Sequence, residues 1–213
     1  MEFQQVVDRR RMVRNFTDEP VSATQRDRIL ANALHAPSAG FSQGWAFLVL
    51  ESVEDRALFW SAAGGDDETP DSWLSGMRRA PLIVVPMSHK DAYLDRYAEA
   101  DKGWTDRDEQ RWPVPYWDID TGMASLLMLL TVVDEGLGAC FFGIVPTQID
   151  EFRHAFGVPP ERIPAFRTAF GVPEEFTPVG CVSVGYPGSG DRRSPSLRRG
   201  HRPLEEVVHR GRW

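Results

Sequence analysis

The 213-residue sequence has few cysteines, few lysines and no long run of apolar residues. Its longest apolar stretch, residues 123–133, contains Ser125 and Thr131, whereas a membrane-spanning helix needs roughly 20 apolar residues. The first basic residues follow a weakly apolar start of the chain, and a secretory signal has the opposite order. We therefore expect a cytoplasmic protein that does not insert into a membrane.

Cys140 and Cys181 are the only cysteines, and both lie in apolar surroundings. They are too far apart to form the short pairs that bind zinc, and no histidine cluster accompanies them. We expect two buried, reduced thiols, as is typical of the cytosol, and no metal site.

Several sequence motifs of phosphate-binding and metal-binding sites are also absent. The chain contains neither G-x-G-x-x-G nor G-x-x-x-x-G-K-[ST], and the five histidines lack metal-ligand spacing. We therefore predict no catalytic side chain. If the protein is an enzyme, an organic cofactor supplies the chemistry.

Arginine is concentrated at the two ends of an otherwise acidic chain. The net charge of −7 argues against a general nucleic-acid binder, yet residues 1–14 contain four arginines and residues 188–213 contain seven. Arg10 and Arg14 share one face if the backbone there is helical, where they either grip a phosphate or form a solvated helix end. The cluster at residues 198–202 is likewise either an anion site or a disordered basic tail.

Hydrophobic periodicity predicts helices interleaved with four buried strands, and hence one α+β or α/β domain. The predicted strands cover residues 45–50, 81–87, 139–145 and 179–186. Helices are predicted over residues 2–11, from Ser22 to before Pro37, and over residues 54–63 and 147–156. A fifth helix ends near residue 136. Ser22 and Gln25 have the spacing of a capping box, and residues 64–70 are predicted as a polar linker.

The longest predicted helix starts at Asp118 or Asp120 and is apolar nearly all round. Its predicted inner stripe consists of Met123, Leu126, Leu127, Leu130 and Val133. Residues 89–118, which precede it, are polar but rich in tyrosine and tryptophan. We predict a semi-ordered excursion there, within a variable aromatic and acidic region at about residues 64–117.

Two segments of small residues allow the backbone to approach a flat ligand. Residues 36–44 offer Ser38, Ser42 and Gln43 as hydrogen-bonding groups, or they form an ordinary connection between helix and strand. Residues 136–143 either present backbone N–H groups to a ligand or are simply a glycine-rich entry into a strand.

Taken in order, these pieces resemble the nitroreductase family of FMN-dependent oxidoreductases. The resemblance rests on residues 10–16, on residues 36–47, on residues 122–127 followed by residues 136–140, and on residues 184–187 followed by residues 199–209. It implies an α+β fold with a central, mostly antiparallel sheet flanked by helices, in a single FMN-binding domain over residues 1–213. It also implies an intertwined homodimer with FMN at the subunit interface.

The resemblance further implies which residues contact the cofactor and the substrate. FMN would be bound by Arg10, Arg11, Met12, Arg14, Pro37, Ser38, Ala39, Gln43, Phe142, Gly143, Arg199 and His201. The loop that contains Pro37 and Ser38 would reach the flavin of the partner subunit. The substrate would contact Phe41, Tyr116, Trp117 and Met123.

Four positions depart from the family pattern. Met12 stands where serine is usual, Phe41 where asparagine is common, and Gly44 where proline is common. His201 replaces a common arginine, so phosphate binding is expected to depend on pH near the histidine pKa of about 6.5.

The function expected from the resemblance is a two-step redox reaction. NADH or NADPH reduces the bound FMN, which then reduces a small conjugated acceptor such as a nitroaromatic or a quinone. Two alternatives remain open. The protein either binds flavin without turnover, for sequestration or redox sensing, or is a specialised relative that acts in dehalogenation, flavin fragmentation or peptide oxidation.

Overall fold

The computed structural model describes residues 1–63, 71–143 and 162–211. The helices are α1 (Phe3–Arg9), α2 (Ala23–Ala33), α3 (Val53–Ala63), α4 (Ser72–Met77), α5 (Lys90–Ala98), α6 (Tyr116–Asp134), α7 (Arg162–Phe170) and α8 (Leu204–Val207). The strands are β1 (Trp45–Leu50), β2 (Leu82–His89), β3 (Gly138–Phe142), β4 (Phe176–Pro178) and β5 (Cys181–Gly185). Short 3-10 turns lie at Ala39–Phe41, Glu109–Arg111 and Pro195–Arg199.

The five strands form one antiparallel sheet in the order β1-β2-β5-β3. The short strand β4 pairs with the end of β2, where Met87 faces Pro178, while β5 pairs with the beginning of β2. This sheet, flanked by helices, confirms the α+β fold. The sequence pattern missed β4 because three residues are too few for an alternating pattern to be recognised.

Alternate residues of the sheet face two separate cores. Along β2, Ile83 and Val85 belong to the core under α3, α4 and α7, whereas Leu82 and Val84 belong to the core under α2 and α6. Because side chains alternate across a strand, a strand buried on both faces is apolar throughout. The continuous apolar runs predicted strands at β1 and β2, and the structure confirms both as strands. β2 is buried as far as Ser88, whereas β1 is half-buried apart from Leu50, which is buried.

Helix α2 confirms the predicted capping box. The Ser22 side chain accepts from the backbone N–H of Gln25, and the Gln25 side chain accepts from the backbone N–H of Ser22. The helix ends at Ala33, before Pro37 as expected. Leu34 follows the last helical residue and is 55% exposed.

Helix α6 begins at Tyr116, so neither Asp118 nor Asp120 caps it. The predicted inner stripe is also wrong, since Leu126 is 48% exposed while Ala124 and Val132 are buried. On a helix that is apolar nearly all round, the pattern of apolar residues does not indicate which face is buried. The face that is buried consists of Asp120, Thr121, Ala124, Ser125, Met128, Leu129, Thr131 and Val132.

Buried hydroxyls on α6 explain how polar residues occupy that inner face. Ser125 and Thr131 donate to the carbonyl oxygens four residues earlier, at distances of 2.8 Å in both cases. These bonds satisfy the hydroxyls inside the helix itself, so burial leaves no donor unpaired. By length and composition alone α6 is long enough to cross a membrane, but Ala124, Met128 and Val132 pack in the core beside the sheet.

Two further differences separate structure and sequence prediction. Helix α1 ends at Arg9, so Arg10 and Arg14 lie in extended backbone and do not share a helical face. The aromatic excursion contains the regular helix α5, which the polar composition concealed, and α4 was not predicted at all. The predicted linker at residues 64–70, the predicted helix at residues 147–156 and the end of the third predicted strand lie outside the described residues.

Both cysteines are buried and unbridged, as the sequence predicted. Burial raises the pKa of the Cys140 thiol to about 11 and that of the Cys181 thiol well above its ordinary value. Since the reactive species is the thiolate, a raised pKa keeps both groups protonated and inert near neutral pH.

We therefore expect that neither thiol of the folded protein reacts with iodoacetamide at about pH 8, where an ordinary exposed cysteine is largely reactive. Labelling followed by mass spectrometry gives the stoichiometry, and the same reaction in urea is the control in which both residues should be modified. Rapid modification of either cysteine in the folded protein would contradict this expectation.

Candidate cofactor site

The arginine-rich N-terminal segment, residues 10–17, lies along the free edge of β3. Met12 forms a parallel bridge with Ala139, and the backbone N–H of Val13 donates to the Ala139 carbonyl at 2.8 Å. The Met12 sulfur accepts from the backbone N–H of Phe141 at 3.3 Å. Methionine at the position where the family commonly has serine thus ties the segment to the sheet.

The same segment pairs with the chain that follows β5. The backbone N–H of Thr17 donates to the Tyr186 carbonyl at 2.9 Å, and that of Gly188 donates to the Asn15 carbonyl at 2.8 Å. The N-terminal segment and the chain that follows β5 therefore meet at one corner of the sheet, immediately before the C-terminal arginines begin.

Asp191 completes this junction with a buried carboxylate whose side chain is 2% exposed. One carboxylate oxygen accepts from the backbone N–H of Arg14 at 2.9 Å, and the other forms an ion pair with the Arg11 guanidinium. A buried carboxylate needs such partners, because unpaired burial of its charge is strongly unfavourable. Arg11 is thereby occupied within the chain, and its predicted contact with a cofactor stays a prediction.

The predicted phosphate ligands Arg10 and Arg14 keep their charge uncompensated. Neither forms an ion pair with a carboxylate in the part of the chain that the structure describes, and the Arg14 guanidinium donates only to the Met12 carbonyl, at 3.4 Å. Arg14 also lies close enough to Cys140 to lower the pKa of that thiol, which opposes the larger effect of burial.

Sequence reasoning missed the arginines that follow α4. The Arg79 guanidinium donates to the side-chain oxygen of Asn15, and the Nε atom of Arg78 is buried with no partner among the described residues. The sequence feature that could have identified them is the pair of adjacent arginines just before a buried strand. These residues add positive charge beside the N-terminal segment.

Gly76, in α4, allows the N-terminal segment to approach this closely. A Cβ atom at Gly76 would lie 2.3 Å from the Arg14 carbonyl oxygen, a separation that real Cβ atoms do not show. Glycine is therefore required here by the closeness of a neighbouring backbone.

The tail residues Arg199 and His201 are exposed. Arg199 ends a 3-10 turn, and no hydrogen bond or ion pair joins Arg199 or His201 to Arg10 or Arg14 across residues 1–63, 71–143 and 162–211.

The loop of residues 38–44 occupies a different place, packed on α5 and α6. The Ser38 hydroxyl accepts from the backbone N–H of Gln43 at 3.0 Å, and the backbone N–H of Ala39 donates to Asp120 at 2.8 Å. Phe41, a predicted substrate contact, is 72% exposed at the tip of the loop. In the part of the chain that the structure describes, no hydrogen bond or ion pair joins Pro37, Ser38, Ala39 or Gln43 to Arg10 or Arg14.

Phe142 and Gly143, predicted beside the flavin, end strand β3. The Phe142 ring stacks on Trp60 with centroids 5.7 Å apart and also meets Phe59 and Trp73 edge-on. A Cβ atom at Gly143 would meet no atom of the described residues within 4 Å.

Tyr116 and Trp117 belong to a cluster of rings that joins α5 to the start of α6. Trp112 lies at its centre, with ring centroids 5.8 Å from Tyr116, 6.1 Å from Trp117 and 4.6 Å from Tyr97. Trp117 also lines a cleft of about 590 Å³, together with Ser88, Lys90, Asp91, Glu109, Asp118, Glu174, Glu175 and Thr177. Met123 lies further along α6, half-buried against the core.

The protein has an antiparallel sheet between two helical layers, and its N-terminal segment pairs with the chain that follows β5 at one corner of the sheet. This arrangement is an α+β fold of the nitroreductase type. The model of the nitroreductase family matches residues 7–186, and the chain belongs to that family.

Solved structures share this fold across the whole chain. A nitroreductase family protein from Clostridium difficile 630 is 20% identical, with a TM-score of 0.70 and 100% of each chain covered. An FMN-dependent nitroreductase from Clostridium difficile R20291 is 19% identical, with a TM-score of 0.65 and 98% of each chain covered. A structure described as a putative NADH oxidase from Clostridium acetobutylicum is 22% identical, with a TM-score of 0.64, and covers 98% of this chain and 99% of its own.

The substitution Gly76→Ala is expected to lower the free energy of unfolding by about 1–3 kcal/mol, because the added methyl group displaces the Arg14 backbone. Urea denaturation measures the change. The matched control is Gly122→Ala in α6, where a Cβ atom meets nothing within 4 Å. That substitution should raise the stability by about 0.5–1 kcal/mol through helix propensity. Equal effects of the two substitutions would contradict the close approach at Gly76.

Proposed function

We propose that this protein is an FMN-dependent oxidoreductase in which NADH or NADPH reduces the flavin, and the flavin then reduces a small conjugated acceptor such as a nitroaromatic or a quinone. The proposal rests on the corner of the sheet where the N-terminal segment meets the chain that follows β5. There Arg10 and Arg14 retain uncompensated charge while Asp191 occupies Arg11. Guanidinium groups without carboxylate partners suit a phosphate, since they bind its oxygens through two parallel hydrogen bonds.

The residues present fit an FMN phosphate at this corner. In the proposed complex Arg10 and Arg14 bind the phosphate, and the backbone at Gly143 approaches the flavin ring. When bound, FMN supplies the chemistry by storing and passing on the electrons of the nicotinamide. The protein's own contribution is to position the reactants and to stabilise charge with N–H donors.

The proposal includes a second copy of the chain, which brings its residues 38–44 to the flavin. Among the described residues no hydrogen bond or ion pair joins this loop to Arg10 or Arg14 of the same chain, which suits a site completed by a second subunit. Apolar residues are exposed on α1, on α6 and in the C-terminal tail: Phe3, Val7, Ile119, Leu126, Leu197, Leu204 and Val207. Exposed apolar groups of this kind favour burial against a partner chain, which would also bring Arg199 and His201 to a flavin.

We expect Arg14→Ala and Arg199→Ala each to weaken FMN binding by about 1.5–3 kcal/mol, the contribution of a hydrogen bond to a charged group. Quenching of flavin fluorescence measures the dissociation constant. Arg28→Ala is the control, because Arg28 lies on α2 and pairs with Glu135 at 2.6 Å. An unchanged flavin affinity in both test variants would exclude the proposed phosphate site.

Turnover separates an oxidoreductase from a protein that only binds flavin. Anaerobic stopped-flow mixing of the flavin-loaded protein with NADH, and separately with NADPH, should bleach the oxidised flavin absorbance with at least one donor. Subsequent addition of a quinone or nitroaromatic should restore it. Retention of the oxidised spectrum with both donors would reject the proposed reaction and favour sequestration or sensing.

A further inference from the structure

The loop of residues 38–44 contains three closely spaced residues in the left-handed region. Gly40 has φ +61°, Phe41 has φ +56° and Gln43 has φ +49°. Glycine adopts this region readily, but phenylalanine and glutamine do so only when surrounding contacts hold them there. The contacts that hold this loop therefore decide whether its shape persists.

The principal contact comes from a buried carboxylate on α6. Asp120 is 1% exposed, and a single carboxylate oxygen accepts from the backbone N–H of Ala39 at 2.8 Å and from the Tyr93 hydroxyl at 2.9 Å. Burial and the bond to Asp120 raise the pKa of Tyr93 well above its ordinary value, so Tyr93 keeps its proton and remains the donor. Asp120 thus links the loop to α5 through one oxygen atom.

Helix α5 holds the loop from the other side. The Arg96 Nε donates to the Gly40 carbonyl at 3.0 Å, and a Cβ atom at Gly40 would lie 2.7 Å from the Tyr97 ring. At Gly44, an added Cβ atom would lie 2.5 Å from the Tyr93 ring. The aromatic excursion therefore forms the outer support of the loop.

We propose that Asp120, together with Tyr93, is a positioning residue that holds the 38–44 loop in its left-handed conformation and so places Phe41 toward the acceptor. Asp120 does not itself touch a reactant, because its accepting oxygen is buried and already bears two hydrogen bonds. The inference rests on the proposed function, in which this loop borders the flavin of the partner subunit.

The test compares Asp120→Ala, which removes both hydrogen bonds, with Asp120→Asn, whose amide oxygen can still accept them. Tyr93→Phe removes one bond while keeping the ring, and serves if Asp120→Ala does not fold. Asp95→Asn is the control, because this exposed carboxylate on α5 pairs only with Arg107, at 3.1 Å. Backbone amide hydrogen exchange of the protein as purified reports on the loop independently of activity.

We expect exchange at residues 39–44 to become at least about tenfold faster in Asp120→Ala, to rise less in Tyr93→Phe, and to stay near the wild-type rate in Asp120→Asn and Asp95→Asn, as protection follows local opening. The KM for a quinone acceptor should rise in Asp120→Ala and recover in Asp120→Asn.

Unchanged loop exchange in Asp120→Ala would overturn the inference. Faster exchange spread evenly over α6 and the sheet would also overturn it, because that result indicates general destabilisation. Equal defects in Asp120→Asn and Asp120→Ala would do the same. If the wild-type protein binds no flavin, the proposed function fails, and the exchange data alone still decide whether Asp120 holds the loop.

Discussion

The proposed site depends on Asp191, which joins the N-terminal segment to the chain that follows β5. Without Asp191, the Arg11 guanidinium and the Arg14 backbone would lack their common partner. A single acidic side chain inside an arginine-rich region separates the arginine that serves the fold from those available to an anion. One buried negative charge thus pairs with one arginine side chain and with the backbone N–H of a second arginine.

A second buried carboxylate, Asp120, has a parallel role at the other half of the site. It holds a strained loop through backbone and phenol donors, whereas Asp191 holds an extended segment through backbone and guanidinium donors. In the function proposed above, neither carboxylate touches a reacting atom. A flavin would supply the chemistry, and the chain would position two separate loops that meet across a subunit boundary.

How much of this followed from the sequence depends on the range of the interactions involved. Ser22 and Gln25 are three residues apart, so the cap was predictable, and the continuous apolar run of β1 gave its bounds correctly. The inner face of α6 was not predictable, because its apolar residues surround the helix and its buried hydroxyls bond internally. The partners of Arg11 and Ala39 are Asp191 and Asp120, respectively. Because these partners are far away in the sequence, no local pattern predicts them.

The central claim is that arginines beside the Asp191 junction bind a flavin phosphate. The visible absorption spectrum of the protein is the direct test. The protein should be recorded as purified, and again after incubation with FMN or with riboflavin followed by gel filtration. If the arginines bind the phosphate, the flavin spectrum should survive gel filtration after incubation with FMN. It should be largely lost with riboflavin, which lacks the phosphate. A protein that stays colourless after FMN, or that retains both flavins equally, would contradict it.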